Sequence, residues 1–74
     1  QGKPMKNPLI EFITKAGTIV RINITAITSI RQRNGYTRIV VQGSDNYDLN
    51  VHDIAGQYSI ICEKIDSWYS QPAV

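Results

Sequence analysis

Apolar and polar residues alternate with a period of two along the first part of the chain. Leu9 to Thr14 and Thr18 to Ile24 are rich in β-branched residues and read as two strands. Lys15-Ala16-Gly17 between them suits a three-residue hairpin loop with Gly17 in the left-handed conformation. That register sets Thr14 opposite Thr18, Phe12 opposite Val20, Ile10 opposite Ile22 and Glu11 opposite Arg21, the last a cross-strand ion pair. Ile10, Phe12, Val20, Ile22 and Ile24 then share a core face. Leu9, Ile13 and Ile19 fall on the back of the same ribbon and are the expected oligomer contact.

Thr25-Ala26 must turn the chain but are poor turn residues, so a short helical twist or corner is expected there. Strand three then runs from about Ile27 to Arg33 and strand four from Tyr36 to Gln42. Asn34-Gly35 between them is a strong short-range hairpin signal, pointing to a type I′ turn with φ > 0 at both positions. A two-residue turn sets Arg33 opposite Tyr36, Gln32 opposite Thr37, Arg31 opposite Arg38 and Ile30 opposite Ile39. Thr28, Ile30, Gln32, Thr37, Ile39 and Val41 therefore share one face. Ser29, Arg31, Arg33, Tyr36, Arg38 and Val40 share the other.

Gly43 to Asn46 is a turn cluster, and Tyr47 to Val51 alternates as a fifth strand with Tyr47, Leu49 and Val51 inward. Asp53 is a good N-cap. Ile54, Tyr58, Ile61, Ile65 and Trp68 follow at steps of four, three, four and three, one apolar face of a helix from about Asp53 to Tyr69. Gly56 would weaken the first turn of such a helix. The pattern predicts an α+β domain, a twisted antiparallel sheet of four to five strands, meander-like, with one C-terminal amphipathic helix packed on one face. Its core comprises Ile10, Phe12, Val20, Ile22, Ile30, Ile39, Val41, Leu49, Val51, Ile54, Tyr58, Ile61, Ile65 and Trp68. Residues 5–70 form this single domain. Residues 1–4 read as an expression scar before a native start at Met5, and 71–74 as a frayed tail.

Seventy-four residues give one small core, worth no more than about 3–5 kcal/mol. Cys62 is the sole cysteine and His52 the sole histidine, which excludes an internal disulfide and a structural zinc site. Association, as a homodimer or with another protein, is the remaining way to add stability. No apolar run approaches the roughly 20 residues that span a bilayer, and the free cysteine points to the cytoplasm. Charge is divided unevenly: residues 1–40 hold seven basic side chains against one acidic, and 41–74 hold one against five. A molecule with a basic end can meet polyanions or pack head to tail with itself.

Catalysis has little to work with. His52, just before the expected cap, reads as a loop or capping residue. Cys62, well along the expected helix, reads as a small apolar group, and the two are too far apart for a nucleophile–base pair. Asp45 and Asp48 read as turn residues rather than a metal site, and no Gly-rich phosphate loop is present. Trp68 continues the helix stripe into the core, while Tyr69 lies off it and fits either core or surface. The chain is expected to be no enzyme and to carry no cofactor or metal.

From Val20 onward, Val-Arg-Ile-Asn, Ile27-Thr-Ser-Ile30, Tyr36-Thr-Arg-Ile-Val and Tyr47-Asp-Leu-Asn-Val precede a short amphipathic helix. This succession resembles the small flagellar FlbD-type proteins, and it is similar to the first half of LytTR DNA-binding domains. The resemblance covers about Val20 to Ile65 and implies strand, Asn-containing corner, two strands and helix. The later strands and DNA-contacting segment of LytTR domains have no counterpart in it, so it implies no base reading.

The functional expectation rests on the hairpin. Arg31, Arg33 and Arg38 around Tyr36 suit a small binding module that grips a nucleic-acid backbone or a nucleotide phosphate, by bidentate guanidinium contacts with Tyr36 as a stacking platform. Like charges directly opposite cost about 0.2–1 kcal/mol, so replacing Arg31 and Arg38 by threonine is expected to abolish binding and leave the fold intact or slightly more stable. The alternative class is a protein–protein adaptor or inhibitor acting as a homo-oligomer through Leu9, Ile13 and Ile19.

Overall fold

The computed structural model describes residues 6–72. The expected scar, the expected start at Met5 and the last two residues of the expected tail lie outside that span. Strands β1 (Leu9–Ile13) and β2 (Ile19–Asn23) form a hairpin in the register read from the sequence, from Leu9 opposite Asn23 to Ile13 opposite Ile19. Gly17 has φ +90°, and the Thr14 and Thr18 hydroxyls meet at 2.7 Å across the loop mouth. Arg21 reaches the Glu11 carboxylate at 3.3 Å.

The corner after β2 is a 3-10 turn over Ile24–Ala26. Asn23 fixes it, its side-chain oxygen accepting from the Thr25 backbone N–H at 2.9 Å and from the Thr25 hydroxyl at 2.6 Å. Such local side-chain capping lets residues with poor turn propensity turn the chain. Strand β3 (Ile27–Arg33) follows, then β4 (Tyr36–Val41), paired as expected from Arg33 opposite Tyr36 through Ile30 opposite Ile39. The turn between them differs from the expected type. Gly35 has φ +87° while Asn34 stays at negative φ, the sign pattern of a type II turn. At Thr28 the register slips by one. This bulge exposes Thr28, which was expected on the core face, and its hydroxyl donates to the Val40 carbonyl at 3.2 Å. The extra residue shifts the alternation, so Ile27 as well as Ile30 packs on the core.

The segment expected as strand five is not a strand. Tyr47–Asn50 is a single helical turn, α1, capped by Asn46, whose side chain accepts from the Asp48 N–H at 3.0 Å. The Asn50 side chain ties the loop shut, accepting from the Ser44 N–H at 3.1 Å and donating to the Ser44 carbonyl at 2.8 Å. Tyr47 and Leu49, expected inside, are therefore exposed. The fifth strand is β5 (Val51–Ala55), antiparallel to β4, with Arg38 opposite Asp53 and Ile39 opposite His52. Asp53 is thus a strand residue and no helix cap, and His52 lies in the sheet instead of a loop. Val51 pairs with Val40 and shares its outer face, away from the expected core position.

Gly56, at φ +122°, ends β5, and its carbonyl accepts from the buried Thr37 hydroxyl at 3.1 Å. The long helix, α2 (Tyr58–Ser70), starts only after it. Gly56 therefore belongs to a turn whose backbone suits glycine, not to the first helical turn. Tyr58 is exposed, and the neighbouring Cys62 one turn on pushes the pKa of its hydroxyl above the usual value. Ile61 and Ile65 are buried on the inward face of α2. The chain before β1 is tied to the other end of this helix. The Lys6 ammonium donates to the Trp68 carbonyl at 2.8 Å, and the Trp68 indole N–H donates to the Asn7 carbonyl at 2.8 Å. A cation on the last carbonyls complements the helix dipole.

The fold is α+β, but its strands divide into two antiparallel sheets, β1–β2 and β3–β4–β5, where one sheet was expected. They touch at one corner, where Thr14 bridges Ile54 and the Lys15 N–H donates to the Asp53 carbonyl at 2.9 Å. Two-stranded ribbons twist more than broad sheets, so β1 leaves β5 after this single contact. The inner faces of both sheets meet α2 in one cluster of Phe12, Ile22, Ile24, Ile39, Ile54, Ile61 and Ile65. Among the described residues no helix is long and apolar enough to cross a membrane.

Candidate functional site

With α2 and the ribbon on one side of β3–β4–β5, the other side is the candidate surface. Strand alternation places three rows on it. Arg33, Tyr36 and Ala55 lie nearest the hairpin turn; Arg31, Arg38 and Asp53 come next; Ser29, Val40 and Val51 follow. The sequence reading brought Arg31, Arg33, Tyr36 and Arg38 to one face, and the paired register keeps them together.

Their roles differ. Arg38 is held by Asp53 in a bidentate pair, Nε to Oδ1 at 2.8 Å and Nη2 to Oδ2 at 3.2 Å, with both side chains about three-quarters covered. The guanidinium hydrogen bonds hold the Asp53 carboxyl below its usual range, against the opposing effect of desolvation, and the positive charges of Arg38, Lys15 and Arg33 add to the effect. Asp53 in turn holds Arg38 more firmly in its charged form. The repulsion expected between Arg31 and Arg38 is thus answered by a carboxylate on the neighbouring strand. Replacing Arg38 would leave that carboxylate unpaired, so removing Arg31 and Arg38 together is expected to cost stability instead of leaving the fold unchanged. Among the described residues Arg31 and Arg33 form no side-chain ion pair, and both are exposed.

Two side chains join this surface that the sequence reading did not assign to it. Lys15, carried in by the β1–β2 loop where it meets β5, places its ammonium 4.1 Å from the centre of the Tyr36 ring. Tyr47, from the α1 turn, stands over the far row and closes a groove of about 290 Å³ with Ser29, Arg31, Arg33, Arg38 and Val40. Both arrive through tertiary contacts between segments distant in sequence, for which local periodicity holds no signal. Leu9, Ile13 and Ile19 are exposed on the back of the β1–β2 ribbon, as expected. Cys62 is half-buried, and no cluster of metal-ligating side chains occurs among the described residues.

The Arg38–Asp53 pair sets a pH dependence. The folded carboxyl lies below its unfolded value, so the pair's contribution is complete above the unfolded value of about 3.9. It is lost as pH falls through the lower folded value. Thermal unfolding followed by circular dichroism should show the melting temperature dropping below about pH 4. That part of the drop should be absent in Asp53→Asn, which starts from lower stability at neutral pH.

Comparisons with protein-family models, with curated proteins and with solved structures found no match to this chain.

Proposed function

We propose that the protein is a small non-enzymatic binding module whose outer sheet face grips a phosphate-bearing partner, a nucleic-acid backbone or a nucleotide. The observation that carries this reading is that, among the described residues, Arg31 and Arg33 form no ion pair beside Lys15, on a face where the Asp53 carboxylate is committed to Arg38. Lys15, Arg31, Arg33 and Arg38 against Asp53 give the surface a formal charge of 4 − 1 = +3. Arg31 and Arg33 are two residues apart on β3, about 7 Å at 3.4 Å per residue, so they can meet successive phosphates of an extended chain. Arg38 stiffens the platform, and Lys15 takes the third contact that was expected of it.

Three phosphate contacts imply a binding constant falling with log salt at a slope of about −2 on a single strand. Between 50 and 200 mM salt that is a loss of about twentyfold. Fluorescence anisotropy with a labelled oligonucleotide across that range reads the slope, and salt-independent affinity would contradict the reading.

A second reading, a homo-oligomer or an adaptor for another protein, is favoured by the row of Leu9, Ile13 and Ile19. These are 43%, 58% and 69% exposed, and β2 beside them is an edge strand. Light scattering at high micromolar concentration should give a dimer mass that reverts to monomer in Ile13→Lys with Ile19→Lys. A native chain already monomeric there would remove the homo-oligomer.

A further inference from the structure

The groove beside the arginines narrows the class of partner. Tyr47 is 63% exposed and lies outside the buried cluster, yet it does not hang on a loose loop. Asn46 caps its turn, and Asn50 closes the segment on Ser44 with two hydrogen bonds. The braced ring stands at one end of the cationic rows, in a groove it lines with Val40 and Ser29. Tyr36, expected as the stacking platform, is less suited to it. Its ring is half-buried and already carries the Lys15 ammonium over one face. The surface thus offers guanidinium groups for phosphates and, beside them, an aromatic face free to take a base. In a duplex the base faces are stacked on one another and closed to such a ring, whereas an unpaired strand presents them.

Resting on the phosphate-binding reading above, we propose that the ligand is a single-stranded nucleic acid, with phosphates on Arg31 and Arg33 and one base stacked on Tyr47 in the groove. Sequence preference is slight, because stacking accepts every base and Ser29 supplies only one hydroxyl for a base edge.

Three labelled probes of equal length separate the contributions: a twelve-nucleotide oligothymidylate, an abasic oligomer with the same phosphates, and a duplex. The native chain should bind the oligothymidylate more tightly than either of the others. Tyr47→Ala should lower that affinity roughly 5- to 150-fold and leave the abasic oligomer unaffected, while Tyr47→Phe retains native affinity. Equal binding of oligothymidylate and abasic oligomer, or an unchanged Tyr47→Ala, would overturn the base-stacking assignment while leaving phosphate binding in place. Abasic binding that ignores loss of Arg31 and Arg33 would instead overturn the phosphate reading itself. Circular dichroism of Tyr47→Ala checks that the exposed substitution leaves the fold intact.

Discussion

Arg31→Thr combined with Arg33→Thr is expected to reduce nucleic-acid affinity by a hundredfold or more while leaving the melting temperature nearly unchanged. A hydrogen bond to a charged group contributes about 1.5–3 kcal/mol, so losing two charge-assisted contacts removes at least about 3 kcal/mol of binding. Both side chains are exposed, and threonine suits a strand, so the sheet keeps its pairing. The salt slope should fall in step, from about −2 to about −0.7, as Lys15 remains the one contact. Arg38→Thr should behave in the opposite manner. Its main effect is on stability, because Asp53 is left half-buried without a partner, at a cost of about 1–3 kcal/mol. Anisotropy and thermal melts on the same three proteins separate the two roles.

Ile39→Ala is expected to remove most of the stability of the fold at 25 °C. Ile39 has no exposed surface and sits in the middle of β4, the central strand of the three-stranded sheet. Truncating a buried isoleucine costs about 2–5 kcal/mol, against a total of about 3–5 kcal/mol for a core of this size. Leu49→Ala is the matching control. A leucine 65% exposed on α1 should move stability by no more than about 0.5 kcal/mol. Far-ultraviolet circular dichroism and urea titration check both. An unshifted urea midpoint in Ile39→Ala would mean that the cluster is not the folding core, and a large loss in Leu49→Ala would restore the inward strand that the alternation of Tyr47, Leu49 and Val51 implied.

The contrast between Ile39 and Leu49 shows how far local pattern reaches in this chain. Both hairpins were legible because their turn residues and alternation agree: Gly17 and Gly35 take positive φ, and every pair from Arg33–Tyr36 to Ile30–Ile39 is where a two-residue turn puts it. The stretch from Tyr47 to Tyr58 departs from its apparent pattern for a physical reason. Tyr47-Asp-Leu-Asn-Val alternates as a strand would, but Asn46 and Asn50 supply side-chain hydrogen bonds that close a helical turn instead. Ile54 and Tyr58 are four apart, which mimics a helix, and Asp53 before them mimics its cap. Gly56, the residue that fitted the helix least, marked the true boundary between β5 and α2. A glycine that resists its assigned element is itself a signal.

The site was half legible for a related reason. A hairpin fixes which side chains share a face, so Arg31, Arg33, Tyr36 and Arg38 were brought together by register alone. It does not fix which strand pairs with the hairpin next. Asp53 became the partner of Arg38 only because β5 begins at Val51, and this converted one of the three expected ligand arginines into an internally satisfied pair. Lys15 and Tyr47 entered the surface through the corner contact between the sheets and the α1 turn, neither of which a period of two or 3.6 encodes.

Backbone amide chemical shifts, followed during titration of the native protein with a short single-stranded oligonucleotide, test most directly where the anionic partner sits. The expected result is saturable movement concentrated at Lys15, Ser29, Arg31, Arg33, Arg38 and Tyr47, with Leu9, Ile13 and Ile19 on the ribbon's back unmoved. Movement confined to the ribbon, or none at all at low salt and high micromolar oligonucleotide, would contradict the outer sheet face as the binding surface.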